Sequence, residues 1–210
     1  MLKATAVFSN LSAPTIIIGT ASTTISGTLA TAGGLVPPGV VTITLNGVSQ
    51  SATIAADGSF SSVFATGALA PVVAGYPITF TYAGSANFNP ASGASTLIVT
   101  YNAVGVAVGN SSVHAGATIP FKVQLFNAQN VNLSASTTVI TAYGVRSVTD
   151  PTWLPADTSG NGGSTFRFQT ANGGQYQFNL KTTGLATGNY LFGYTVAGDP
   201  VIHTIPFSIN

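Results

Sequence analysis

Few side chains in this sequence could perform acid–base or nucleophilic chemistry. The 210 residues contain no cysteine, no glutamate, four aspartates and two histidines, which are Asp57, Asp150, Asp157, Asp199, His114 and His203. Three of the aspartates precede glycine or proline, which is typical of turns. A glycosidase needs two facing carboxylates, and a serine hydrolase of the common type has its serine in a Gly-x-Ser-x-Gly turn. Because neither pattern is recognisable, the sequence predicts a protein that is not an enzyme.

Metal ligation has equally little support in the sequence. A transition-metal site needs three or four convergent ligands, and no carboxylate lies at ligand spacing from His114 or His203. His203 is expected to lie on the strand face opposite the apolar residues. A calcium loop between Asp150 and Asp157 would lack the bidentate glutamate of an EF-hand-like loop. We therefore predict no metal site and no cofactor.

The charge content excludes further classes of function. Charged residues make up 4% of the chain, against about 25% in an average globular protein. The net charge is +1 and the five basic residues are scattered, so no nucleic-acid partner is expected. No apolar run reaches the ~18 residues of a membrane helix, which predicts no transmembrane segment. The first residues lack the apolar stretch of a signal peptide, so a mature form or a fragment is expected.

Short runs of alternating apolar and polar residues recur along the chain, as is typical of β-strands. Residues 41–45 alternate and lead into Asn46-Gly47, a strong hairpin signal. About seven such runs occupy the first hundred residues, a density typical of an immunoglobulin-like sandwich. Residues 58–70 also align without gaps with residues 174–186. The sequence therefore predicts an all-β fold of two tandem immunoglobulin-like antiparallel β-sandwiches, residues 1–101 and 102–210, with a linker too short for free bending.

Three stretches resemble known modules of exported bacterial proteins. Residues 75–88, GYPITFTYAGSANF, are similar to the bacterial Ig-like repeats that form arrays on large secreted and surface proteins, with Ser85 where an aspartate is usual. Residues 115–123, AGATIPFKV, resemble a related terminal module marked by Ile-Pro-x-Lys, as do residues 173–182. The resemblance implies an extracellular or cell-surface location and a role as spacer, stalk or adhesive unit.

On these grounds the sequence predicts a non-catalytic structural or adhesive module of a bacterial surface or secreted protein. Expected partners are copies of the chain, neighbouring Ig-like domains or glycans. A filament-forming unit that assembles by β-strand addition is one form of this prediction. The alternative is a carbohydrate-binding or accessory module of a secreted exoenzyme.

Two kinds of contact residue follow from these functions. Few charges are available to protect sheet edges from pairing, so the edges around Thr5 and Val7, and around Ile205 and Phe207, are candidates for strand addition. Trp153, the single tryptophan, lies in a proline-flanked loop. If exposed, it is a candidate ligand contact; if buried, it closes one end of a sandwich.

Overall fold

The structure is a computed structural model that describes residues 2–107 and 112–210. The described elements are sixteen β-strands and one 3-10 turn at Ala171–Gly173. The chain divides into two compact units, Met1–Val99 and Thr100–Asn210. Along the sequence, only Tyr101 separates the last strand that begins in the first unit from the first strand of the second.

The first unit contains a three-stranded and a five-stranded sheet. Its strands are β1 (Val7–Ser9), β2 (Thr15–Ile17), β3 (Ser22–Ala30), β4 (Val40–Leu45), β5 (Val48–Thr53), β6 (Ser59–Ala65), β7 (Tyr76–Tyr82) and β8 (Ala91–Thr100). The strand orders are β1-β3-β6 and β2-β8-β7-β4-β5. In β4, Val41, Ile43 and Leu45 are buried because alternate residues of a strand face the same side. The sheets enclose one apolar core.

The turn of the β4–β5 hairpin contains two residues in the left-handed region of backbone conformation. Asn46 and Gly47 have φ values of 48° and 78°. Such a turn needs the left-handed region at both positions, which asparagine and glycine tolerate better than other residues. The turn brings Leu45 opposite Val48 and sets the register of the hairpin.

The second unit contains two four-stranded sheets. Its strands are β9 (Asn102–Ala107), β10 (Ser112–Val113), β11 (Thr118–Phe126), β12 (Ile140–Ser147), β13 (Arg167–Gln169), β14 (Gln175–Lys181), β15 (Gly188–Val196) and β16 (Ile202–Ile209). The strand orders are β10-β16-β15-β12 and β13-β14-β11-β9. The core between them is rich in aromatic rings, with Phe121, Phe178 and Phe192 fully buried.

The predicted fold class is confirmed, since each unit is an immunoglobulin-like sandwich of two β-sheets. Most strand pairs are antiparallel, whereas β10 and β16 are parallel. The strand expected over residues 138–143 instead runs from Ile140 to Ser147. Of the strand expected over residues 105–108, residue 108 lies outside the described residues.

Residues aligned between the two halves have the same local environment. Thr66 and Thr182 are both buried, and each donates its hydroxyl to a backbone carbonyl, at 2.7 and 3.0 Å. The hydroxyls of Tyr76 and Tyr190 each donate to the carbonyl of an upstream alanine at 2.9 Å. The two halves therefore repeat side-chain hydrogen bonds as well as a strand pattern.

Candidate functional site

Trp153 lies against the outer face of the sheet that contains β12 and β15. Gly144 and Gly193 are directly paired across these strands, next to Val145 and Phe192, which point into the core. A Cβ on Gly193 would lie 2.5 Å from Trp153 Cη2, so only glycine allows the ring this close to the backbone. Trp153 is half-buried and seated on the glycine pair.

The loop that carries Trp153 is held by the neighbouring strand. Leu154 and Val145 exchange two backbone hydrogen bonds of 2.8 Å, which extend the sheet by one bridge. Asp150 Oδ1 accepts a hydrogen bond from Thr152 N at 2.8 Å. This bond holds the pKa of Asp150 below its ordinary value, because it stabilises the carboxylate. The indole is therefore positioned by backbone as well as ring contacts.

Tyr143 and Arg146 flank the indole. A β-bulge between Ala142 and Gly144 changes the register at Tyr143 and directs its ring outward. The Tyr143 and Trp153 rings stand at 88° with centroids 5.2 Å apart, and Arg146 Cζ lies 5.3 Å from the indole centroid. Tyr143 is 48% exposed and is the only exposed aromatic side chain of the described residues. Arg146 makes no ion pair within residues 2–107 and 112–210.

A second polar cluster surrounds Asp199, whose side chain is fully buried. Asp199 Oδ2 lies 3.0 Å from His203 Nε2 and accepts hydrogen bonds from Thr100 Oγ1 at 2.8 Å and Tyr101 N at 3.0 Å. Asp199 Oδ1 accepts from Val201 N at 2.9 Å. Burial alone would raise the pKa of Asp199, but these hydrogen bonds, led by that of His203, bring it below its ordinary value. The cluster ties the start of the second unit to the β15–β16 turn.

The expected orientation of His203 is wrong. Its imidazole stacks on Tyr194 at 5.5 Å, and the side chain is 11% exposed. His203 and Ile205 are two residues apart, and the period of two places them on the same face of β16. Burial of the Tyr194 hydroxyl, followed by the charge of Asp199, raises the pKa of Tyr194. The sequence predicts only a turn residue at Asp199, because the burial of its side chain depends on contacts with distant Thr100 and Tyr101.

The other titratable groups serve local structure. Asp57 Oδ1 and Asp157 Oδ1 each accept two hydrogen bonds from a serine two residues later, and these bonds lower both pKa values. His114 is exposed, and no serine hydroxyl bonds either histidine ring in the described part of the chain. Residues 2–107 and 112–210 contain no cluster of three potential metal ligands. They also form no helix long and apolar enough to cross a membrane.

The proposed strand-addition residues occupy different positions. Thr5 is exposed and precedes β1, and Val7 is 62% exposed on β1, an edge strand of its sheet. Ile205 and Phe207 have buried side chains in β16, which lies between β10 and β15. The described part of β10 pairs with β16 only at Ser208 and Ile209. Strand addition at either place stays a prediction.

Comparison with known proteins gives a general likeness only. No protein-family model and no curated protein matches the chain. A chimeric titin Z1Z2 is 14% identical over 100% of this chain and 99% of that chain, with a TM-score of 0.35. The Escherichia coli adhesin FdeC is 18% identical over 98% of this chain and 64% of that chain, with a TM-score of 0.38.

Surface layer protein SbsC is 12% identical over 100% of this chain and 31% of that chain, with a TM-score of 0.32. This chain therefore spans less than two thirds of the SbsC and FdeC chains. Likeness at this level establishes neither activity nor partners.

Proposed function

We propose that this chain is a non-catalytic structural or adhesive module of a bacterial cell-surface or secreted protein, and that it acts as a spacer or stalk under tension. The observation that carries this proposal is the pairing of the first part of each unit with its last strand. Where the two paired strands are parallel, the N-terminal end of the first strand and the C-terminal end of the last strand lie at opposite ends of the pair. Pulling on both ends then loads several hydrogen bonds together.

In the second unit, β10 is parallel to β16, with Ser112 opposite Ser208 and Val113 opposite Ile209. Asn210 N extends the contact by donating to Val113 O at 2.8 Å. Force along the chain would shear this short ladder instead of opening it one pair at a time. The pairing therefore suits a module that carries load from one end to the other.

The first unit has a corresponding arrangement. Ala4 forms a parallel bridge with Phe88, and β2 lies beside β8. Ile98 N donates to Pro14 O at 2.9 Å, with the same sequence separation as the Ala4–Phe88 bridge. We propose that residues 1–101 and 102–210 are independent domains with the same resistance to tension.

Association with copies of the chain would add an adhesive or filament-forming role. The first unit contains only Lys3 and Asp57 as charged residues, and Val7 exposes an aliphatic side chain on an edge strand. Edge strands without nearby charge are open to pairing. Strand addition at β1 is therefore the form of self-association that this proposal includes.

Single-molecule force measurements test the tension-bearing role. The chain has no native cysteine, so attachment points can be chosen freely. One set of molecules is pulled through tags at the two chain ends. A control set is pulled through Val40→Cys and Thr53→Cys, which are opposite each other at the open end of the β4–β5 hairpin. The control pair is opened one rung at a time.

We expect two unfolding events in the end-to-end traces, both at higher force than opening of the hairpin in the control. End-to-end unfolding at a force no higher than that of the control would contradict the proposal. A single event involving the whole chain would contradict the division into two domains. The chain tagged at its two ends and the chain with Val40→Cys and Thr53→Cys must both first show the far-ultraviolet circular dichroism of the unmodified chain.

An accessory module that binds carbohydrate is the second candidate function. It is favoured by Tyr143, which is exposed beside the half-buried Trp153. An enzyme has less support, because the buried Asp199 and its His203 partner have no serine beside them in the described structure.

A further inference from the structure

Tyr143, Arg146 and Trp153 form an exposed group on the outer face of the second unit, which we call the aromatic corner. We propose that the aromatic corner binds an acidic saccharide. One sugar ring would contact the two aromatic rings, and its carboxylate would pair with Arg146. This proposal does not depend on the tension-bearing role, because a module can carry a ligand site whether or not it transmits force.

The aromatic corner is formed before any ligand arrives. The Gly144–Gly193 pair leaves space for the indole against the sheet, and the two Leu154–Val145 hydrogen bonds hold the loop. Fixed side chains lose less conformational freedom on binding than mobile ones. A loop with only an exposed tryptophan would lack this advantage.

The exposed rings match the apolar part of a sugar. Most aromatic side chains of this chain lie in the two cores, whereas Tyr143 is 48% exposed. Tyrosine and tryptophan combine a large apolar surface with a polar group, which suits contact with a ligand that has both characters. The two rings are in edge-to-face contact, so a sugar ring would lie on the exposed Tyr143 ring next to the indole.

Arg146 supplies the charge that distinguishes an acidic from a neutral sugar. Its guanidinium lies over the indole ring, with Cζ 5.3 Å from the centroid, and has no carboxylate partner among the described residues. The planar guanidinium can donate two parallel hydrogen bonds to one carboxylate. A saccharide with a ring carboxylate can satisfy this group while its ring contacts Tyr143 or Trp153.

Hydroxyl groups follow the same face of the sheet. Thr204 is paired with Gly193, and Thr195 is paired with Thr141 one row away. Alternation directs these three side chains away from the core, because Ile140, Val196 and Ile205 point into it. Threonine hydroxyls both donate and accept hydrogen bonds, as sugar hydroxyls do.

An acidic peptide fits this surface less well. A peptide that adds to β12 would need its free backbone edge, but Val145 is paired with Leu154 and Ala142 N donates to Ser164 O. Phe166 N also donates to Ile140 O. The described contacts therefore favour a compact hydroxylated ring with a single carboxylate.

Trp153 fluorescence gives a direct measurement, because it is the only tryptophan in the chain. The full chain is titrated with acidic hexasaccharides of galacturonate, glucuronate and sialate. The matched neutral ligand is the methyl ester of the galacturonate hexasaccharide, which keeps the ring and removes the charge. Hexaglutamate serves as the acidic peptide.

We expect at least one acidic hexasaccharide to change Trp153 fluorescence saturably, with affinity that falls as salt is raised. Methyl esterification or Arg146→Gln should weaken binding at least about tenfold, the loss expected for one charge-assisted contact. Tyr143→Ala should also weaken binding, with unchanged circular dichroism. Lys122→Gln, which removes a positive charge from the other sheet of the same unit, should bind as the unmodified chain does.

Three results would overturn the proposal. The first is no saturable change with any acidic hexasaccharide at millimolar concentration. The second is equal binding by the methyl ester or by hexaglutamate, which would remove the basis for an acidic sugar. The third is a fluorescence change that follows protein concentration alone, which would assign the aromatic corner to contact between copies of the chain.

Discussion

Removal of the Asp199 carboxylate is expected to destabilise the second unit far more than the loss of any other aspartate. Asp199 has a fully buried side chain and four hydrogen-bond partners at 2.8 to 3.0 Å. In Asp199→Ala, the Thr100 hydroxyl, the Tyr101 amide and His203 lose their shared acceptor. A buried donor left without its acceptor costs about 1–3 kcal/mol, and several donors lose the same acceptor here. A loss of about 3 kcal/mol lowers the melting temperature of such a domain by roughly 10 °C or more.

Urea unfolding followed by Trp153 fluorescence isolates this effect, because the tryptophan lies in the second unit. Circular dichroism follows both units in the same samples. Asp57→Ala is the matched control, since Asp57 is an exposed turn residue of the first unit. Asp199→Asn keeps the size of the side chain and one acceptor oxygen, and should fall between Asp199→Ala and the unmodified chain.

The expected result is a lower fluorescence midpoint for Asp199→Ala with an unchanged midpoint for Asp57→Ala. If the free energy of unfolding of the second unit falls by less than about 1 kcal/mol, the hydrogen bonds at Asp199 do not act as a buried network. Equal losses in both units would show that the substitution acts through the whole chain. Either result would contradict a buried hydrogen-bond network at Asp199 that stabilises the second unit.

Three further measurements test the same structure. The pKa of Asp199 lies below its ordinary value of 3.8, so the carboxylate should stabilise the fold above pH 3.8. This stabilisation should be lost as the pH falls through the pKa of the folded state, and acid unfolding of Asp199→Asn should not show that loss. Gly193→Ala should displace Trp153 from the sheet, seen as a shift of its emission and a lower unfolding midpoint, because the added Cβ would meet the ring at 2.5 Å. Tyr190→Phe should lower the free energy of unfolding by about 1 kcal/mol in urea titrations, since the carbonyl of Ala186 loses a 2.9 Å hydrogen bond.

The strands were predictable from sequence because their cause is local. Val41, Ile43 and Leu45 alternate with polar residues. The dipeptide Asn46-Gly47 predicts the left-handed backbone conformation that both residues adopt. Such signals lie within a few neighbouring residues. They established the fold class without information about distant contacts.

The packing of Trp153 against the paired glycines could not be predicted in the same way. It needs Gly144 to meet Gly193 across two strands, and a bulge beside Tyr143 sets that register. No pattern within a short stretch of sequence predicts that two distant glycines will pair. A usable signal was nevertheless present, because a glycine inside a strand often marks close approach by another group. The sequence identified Trp153 as a candidate contact but gave no reason to place Tyr143 and Arg146 beside it.

The scarcity of charge makes Arg146 more informative than an arginine on an ordinary surface. A typical surface presents many cations, so a single arginine beside an aromatic ring has little meaning there. This chain has five basic residues in all, and its first unit carries only Lys3 and Asp57 as charges. A guanidinium placed beside the single tryptophan, with no carboxylate to neutralise it in the described structure, is therefore unusual within this chain. Long-range attraction is weak at a net charge of +1, so an acidic ligand would be selected at contact by this one group and not drawn in by the field of the whole protein.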